Sequence, residues 1–186
     1  MNAPNEQPPR LTVATCSLAG CFGCHMSFLD VDERLVQLAQ LVTFDRTPLT
    51  DVKHCSEHVD VGLIEGGLCN VENVEVLREF RDRCKYIVAV GSCAITGGVP
   101  AVRNKFTLEA CLREAYIDAP GIENPHIPFD AEIPLLLNKV RPIHEVVRVD
   151  FVLPGCPPPA DAFWELLTAL VEGREPQLAY EHRRFD

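Results

Sequence analysis

The sequence predicts an α/β domain: a mostly parallel, flavodoxin-like sheet flanked by helices, with functional loops at the carboxyl ends of its strands. Three observations predict it. Strand-length apolar runs alternate along the chain with stretches of helical periodicity. The runs at 59–65 (VDVGLIE) and 86–90 (YIVAV) are apolar almost throughout, as expected of strands covered on both faces of a parallel sheet. Strand-like runs also end repeatedly in glycine-bearing loops. The length of 186 residues fits one domain. The expected division is a flexible arm over 1–10 and a single domain over 11–186.

The elements follow in order. The first nine residues hold three prolines and no apolar period, and read as a mobile arm or a strip laid against a partner. Residues 11–15 (LTVAT) form a short strand, and 16–24 a loop carrying glycine and cysteine. Phe28, Val31, Leu35, Leu38 and Leu41 recur at helical spacing, which predicts one helix over about 26–41. Residues 42–44 are an edge strand, and 45–58 are polar and irregular. The strand at 59–65 stops at Gly66-Gly67. Val71, Val74, Leu77 and Phe80 share one face of an amphipathic helix over 70–83. After the strand at 86–90, residues 91–100 read as a second loop with glycine and cysteine, and 108–116 as a short helix. Residues 117–145 hold five prolines and little periodicity, with one short helix expected near 135–140. A long irregular segment inside a compact domain is usually functional or partner-bound. Residues 146–153 (VVRVDFVL) form a strand that Pro154-Gly155-Cys156-Pro157-Pro158-Pro159 ends abruptly, because proline removes backbone donors. Pro159 and Gly173 bracket a last helix over 160–172.

Composition closes several functions. With 47% apolar and 24% charged residues, the chain is not largely disordered. Its longest apolar runs are too short to span a bilayer. A net charge of −10 argues against nucleic acid, whose binding rests on Lys and Arg neutralising phosphates. No G-x-G-x-x-G follows a strand, so this chain is not expected to bind NAD, and a protein that uses NAD would bind it on a partner; no phosphate-cradling loop is present for FMN. MNAPNEQPPR has neither an apolar stretch nor a twin arginine, which predicts a cytoplasmic chain. Nine cysteines cannot all pair with one another. In a reducing compartment, clustered cysteines more often bind metal or do redox work than form disulfides.

Three cysteine-bearing loops carry the chemistry: Cys21-Phe22-Gly23-Cys24, Gly91-Ser92-Cys93 and Pro154-Gly155-Cys156-Pro157. Each follows a predicted strand. In a parallel sheet such loops emerge at one edge, where ligands of open α/β sheets bind. Four convergent thiolates suit a cubane iron–sulfur cluster or a tetrahedral zinc. Ionising a free thiol at pH 7 costs roughly 2 kcal/mol, and four cost about 8 kcal/mol before their repulsion, so only a strongly bound cation or cluster makes the set favourable. The spacing of pair, single, single favours a cluster, because zinc sites usually come as two close pairs. A thiol–disulfide reading of Cys21 and Cys24 is weaker. Residues up to His25 read as loop, without the helix opening that such pairs use.

The combination of Gly20-Cys21-Phe22-Gly23-Cys24, Glu65-Gly66-Gly67, Gly91-Ser92-Cys93-Ala94 with Gly97-Gly98, and Leu153-Pro154-Gly155-Cys156-Pro157-Pro158 resembles the small subunit of NiFe-hydrogenases, over about residues 11–172. Within that family it is most similar to the soluble, bidirectional NAD-reducing type. A related subunit of respiratory complex I, near its quinone site, shares the fold and motifs, but usually sets its first two ligand cysteines side by side. The Phe22-Gly23 spacer therefore favours the hydrogenase branch.

The resemblance implies that Cys21, Cys24, Cys93 and Cys156 hold one 4Fe–4S cluster. It implies no substrate chemistry on this chain, which is an electron relay in an obligate hetero-oligomer. The partners implied are a large subunit with the NiFe centre and a diaphorase module with flavin and NAD. The 30 residues after Cys156 contain no cysteine, which predicts a single cluster. The alternatives are a complex I-like subunit near a quinone site and a zinc-stabilised interaction module. Cys16 lies close enough to Cys21 to substitute as a ligand, but the C-x-x-C pair fits the ligation pattern without it; Cys69 follows another strand end and is expected to line the pocket. Cys55, Cys84 and Cys111 read as structural or exposed. His25 reads as a solvent-facing loop residue, and Glu65 as ion-paired, capping or proton-moving.

Overall fold

The computed structural model describes residues 10–185. Most of the predicted arm, residues 1–9, lies outside them. Five strands form one parallel sheet: β1 (Leu11–Ser17), β2 (Val42–Phe44), β3 (Val59–Glu65), β5 (Cys84–Val90) and β7 (Phe151–Leu153), in the order β2-β1-β3-β5-β7. The remaining strands, β4 (Leu68–Asn70) and β6 (Leu136–Arg141), pair antiparallel as a separate two-stranded ribbon. The helices are α1 (Gly23–Leu29), α2 (Arg34–Leu41), α3 (Val71–Arg83), α4 (Gly91–Thr96), α5 (Leu108–Arg113) and α6 (Ala160–Val171). This is the strand order of a flavodoxin-like, doubly wound sheet, with its reversal at β1 and β3.

The strands are apolar on both sides because both sides are covered. Successive residues of a strand point to opposite faces. Val13, Leu63, Val88 and Leu153 pack into one core with Phe28, Leu38, Phe163 and Leu166 from α1, α2 and α6. Their neighbours Ala14, Ile64 and Ala89 pack into the other, with Leu77 and Phe80 of α3. Register then sets the functional edge. Ser17 pairs with Glu65, Glu65 with Val90, and Val90 with Leu153, so the carboxyl ends of β1, β3, β5 and β7 stand in one row.

Several elements differ from the sequence reading. The helix expected over 26–41 is two helices, separated where Asp32 adopts φ 53°. Its start is also earlier: α1 begins at Gly23, so Cys24 lies in a first helical turn rather than in a loop. The loop expected over 91–100 contains α4 and runs into a 3₁₀ turn, Val99–Lys105. Near 135–140 the chain is strand β6, not helix, because its backbone pairs with β4. Only Phe151–Leu153 of the strand expected over 146–153 is extended; Val146, Val147 and Val149 still pack on the α3-side core, without joining the ladder.

Candidate functional site

The site lies along the row of strand ends. After β1 the chain folds back onto β3: Leu18 N–H donates to Glu65 O (2.9 Å), and Ala19 and Gly67 exchange backbone bonds (3.0 and 2.8 Å). Phe22 then turns the chain at φ 65° into α1, and Gly23 N–H lies 3.4 Å from Cys21 Sγ. After β7, the backbone of Gly155 accepts from both Ser92 N–H (2.8 Å) and Ser92 Oγ (3.0 Å), which locks the Cys156 loop to the Cys93 loop. Ser27 Oγ of α1 donates to Pro158 O (2.6 Å), closing the circuit between the first and last cysteine loops.

These links tie together the three loops that carry the four predicted cysteines. Cys24 and Cys93 are half-buried on the inner side, and Cys21 and Cys156 are exposed on the outer. Burial, with smaller contributions from the charges of Glu65, Cys93, Cys21 and Cys156, pushes the Cys24 thiol up to about 12. Burial also raises Cys93, against an opposing backbone hydrogen bond from Val99; Cys156, Cys21 and Glu65 add to the rise. Cys24 therefore feels the other three cysteines and Glu65, and Cys93 feels Cys156, Cys21 and Glu65. As free thiols they stay protonated, and only a bound cation or cluster makes thiolates favourable here.

The backbone leaves room around the sulfurs. A Cβ on Gly91, at φ 78°, would collide with Cys24 Sγ. A Cβ on Gly98 would lie 2.8 Å from Cys93 Sγ. Among the described residues, no three Cys, His, Asp or Glu side chains gather as closely as one metal ion requires. A tetrahedral zinc needs four sulfurs about 2.3 Å from one point. The donor set, four thiols on three strand-end loops beside close-approaching glycines, is of the chemistry that holds an iron–sulfur cluster.

The other cysteines separate from these four. Cys16 packs into the α3-side core, and burial pushes its thiol far up. Cys55 and Cys84 belong to the same core. Cys69, expected to line the pocket, is in β4, with its sulfur 3.4 Å from Asn73 Oδ1 and its carbonyl near Arg103. Cys111 is half-buried in α5.

Two further expectations change. His25 is not solvent-facing: its side chain is 11% exposed. The ring stacks on Phe22 with centroids 4.7 Å apart, and its Nε2 lies 2.9 Å from Thr15 Oγ1. Its Nδ1 lies 2.9 Å from Glu65 Oε2, but out of line for a hydrogen bond. Glu65 is 2% exposed. Its carboxylate accepts from Ser17 Oγ (2.7 Å) and from the His25 backbone N–H (2.8 Å). Burial alone would raise its pKa; the His25 and Ser17 contacts outweigh this and hold it below the ordinary range. No sequence pattern marks Thr15 or Ser17 for this network. The pairing of Ser17 with Glu65 depends on register, which no local pattern encodes.

The family described as NADH ubiquinone oxidoreductase, 20 Kd subunit, matches residues 21–170. The chain is 46% identical over 181 residues to the NAD-reducing hydrogenase HoxS subunit delta of Cupriavidus necator, covering 95% of this chain and 86% of the relative. It is 38% identical over 173 residues to a subunit of the F420-non-reducing hydrogenase of Methanothermobacter marburgensis, covering 91% of this chain and 56% of that relative. A solved NAD+-reducing [NiFe]-hydrogenase in the H2-reduced state contains a chain that superposes with a TM-score of 0.93 at 53% identity, covering 96% of this chain and 100% of that one. A [NiFeSe]-hydrogenase of Dm. baculatum, at 18% identity and a TM-score of 0.55 over 94% of this chain and 69% of that one, shares the fold.

Proposed function

This chain belongs to the 20 kDa-subunit family of NADH:ubiquinone oxidoreductase, and from that premise we propose that it is the electron-transfer small subunit of a cytoplasmic NAD-reducing NiFe-hydrogenase. In this reading Cys21, Cys24, Cys93 and Cys156 hold one 4Fe–4S cluster, proximal to a NiFe centre on a large subunit. Flavin and NAD belong to a diaphorase partner, and residues 11–186 form a single iron–sulfur domain. What supports the reading is the placement of these four thiols on the hydrogen-bonded loops after β1, β5 and β7, where the backbone of Gly91 and Gly98 passes close to Cys24 Sγ and Cys93 Sγ.

When bound, such a cluster supplies a reversible one-electron store at the sheet edge. The residues of this chain do the rest. Cys24 packs against the core that holds Phe28 and Leu63, and Cys93 is half-buried. The two outer thiols lie at the surface, where a partner's redox centre has access. The Ser92–Gly155 and Ser27–Pro158 bonds keep the three loops in fixed relation, so the ligand geometry need not reorganise as charge changes. Similarity to the HoxS subunit delta supports the NAD-reducing assembly over the quinone-site alternative, and the C-x-x-C spacing agrees. Cytoplasmic residence accords with nine free thiols. Among the described residues no helix is long and apolar enough to cross a membrane.

The test is co-purification of the chain with its partners, followed by metal and sulfide analysis. Nickel, iron and acid-labile sulfide in the complex, with hydrogen-dependent reduction of NAD, are expected. A complex with zinc and no labile sulfide would overturn the reading. A quinone-reactive assembly without nickel would select the complex I alternative.

A further inference from the structure

Glu65 is the one fully buried charged side chain among the described residues. The strand ends at this edge are otherwise neutral, and β3 is the strand in the row whose following loop holds none of the four thiols. Its terminal residue is placed between the cysteine loops that follow β1 and β5. The two hydrogen bonds its carboxylate accepts come from neutral donors, Ser17 Oγ and the His25 backbone. The second donor is the residue next to Cys24, so the carboxylate holds the C-x-x-C turn from beneath. The His25 ring, clamped by Phe22 and Thr15, closes over the other side of that turn.

We infer that Glu65 is a positioning residue of the electron-transfer site, which fixes the Cys21–Cys24 turn through His25 and lowers the reduction potential of the bound group by its buried charge. This rests on the cluster reading above. A negative charge in a poorly solvated site disfavours adding an electron nearby, because the interaction grows as the local dielectric falls. Ser17 Oγ and the His25 backbone N–H orient the carboxylate without cancelling its charge, and the His25 Nδ1, 2.9 Å from Oε2, is out of line for a hydrogen bond to it. Bound to one backbone N–H and one hydroxyl, Glu65 has little freedom to swing away when the site is reduced.

The test is a redox titration of the intact complex, followed by electron paramagnetic resonance. The signal belonging to this chain is the one that Cys93→Ala abolishes. Glu65→Gln keeps the shape and an accepting oxygen but removes the charge. The expected result is a higher potential, by about tenfold in the one-electron equilibrium constant, or ~59 mV, with the iron content retained. Glu79→Gln removes a carboxylate that holds Arg46, His54 and the Cys55 backbone instead, and is expected to leave the potential unchanged. Equal potentials in wild type and Glu65→Gln, or an equal shift in Glu79→Gln, would overturn the inference. If Glu65→Gln loads no iron, Ser17→Ala decides. It keeps the charge and removes one neutral donor, so the potential is expected to fall, and an unchanged or higher value overturns the inference. A wild-type complex with no signal that depends on Cys93 would instead overturn the cluster reading itself.

Discussion

Replacing Gly91 by alanine tests the packing of the site most sharply, because two separable effects meet there. Gly91 sits at φ 78°, and an added Cβ would strike Cys24 Sγ. The backbone effect is the cost of holding an L-residue in the left-handed region, about 1–2 kcal/mol. The collision is additional: Cys24 Sγ must withdraw until an ordinary contact near 3.5 Å is restored, a displacement of roughly 1 Å for a ligand atom. Gly173 supplies the reference. It has φ 70°, follows α6, and has nothing within 4 Å of its would-be Cβ. Gly173→Ala therefore carries the strain without the collision. Gly173→Ala is expected to lose the backbone cost alone, about 1–2 kcal/mol or roughly 2–8 °C in Tm for a chain of this size, and Gly91→Ala more than that, because the collision adds to it. Only Gly91→Ala is expected to lose iron and labile sulfide as well, with the loss read by colorimetric analysis of the purified complex. Full iron in Gly91→Ala, with a Tm loss equal to that of Gly173→Ala, would refute the claim that Gly91 makes room for a ligand sulfur.

Other predictions concern the scaffold. Arg81 donates to Asp150 Oδ2 and Cys84 O (both 2.6 Å), Lys85 O (2.8 Å) and Arg148 O (3.1 Å), pinning the start of β5 beside the turn into β7. Arg81→Ala should cost about 2–3 kcal/mol by chemical denaturation, and a loss under ~0.5 kcal/mol would mean that these bonds are replaced by water. Burial would raise the Asp150 carboxyl, but bonds from the Ile87 N–H and Arg81 hold it below the ordinary range; Ser56 does the same for Asp45. Both groups thus contribute stability that is complete above the unfolded value, near pH 4, and is lost as pH falls through the lower folded values. Tm should be flat above about pH 5 and fall below about pH 4, less steeply in Asp150→Asn; an equally steep fall in that variant contradicts the assignment. Phe163 is fully buried against Phe28, with ring centroids 5.2 Å apart. Phe163→Ala should cost about 3–5 kcal/mol, and a near-neutral result would show that α6 does not close the core beneath α1.

The parallel sheet was legible because its central strands are covered on both faces, so burial is written into each strand by itself. β3 and most of β5 stand where their apolar runs lie, and each of the four thiols follows a strand the sequence marks. What escaped depends on contacts distant in sequence. β4 and β6 have three and six residues, with Leu68 opposite Arg141 and Asn70 opposite Leu136, and β6 is mostly exposed, so neither carries an inward period. The glycines near 91 and 97 suggested a loop. They in fact bracket α4: Gly91 passes close to Cys24, and Gly97 ends the helix in a left-handed turn. The network under the C-x-x-C turn was hidden for a similar reason. A histidine after a cysteine reads as surface until Phe22, Thr15 and Glu65, from three elements, close around it.

The central claim is that Cys21, Cys24, Cys93 and Cys156, and no other cysteines of the chain, hold an iron–sulfur cluster. It is tested most directly by iron and sulfide analysis, with electron paramagnetic resonance of the dithionite-reduced complex, across single Cys→Ala variants. Substitution at any of the four should remove iron and sulfide in equal amounts and abolish one common signal, while Cys16→Ala and Cys69→Ala retain both. Loss of that signal in Cys16→Ala or Cys69→Ala, or its persistence in Cys93→Ala or Cys156→Ala, would contradict the account.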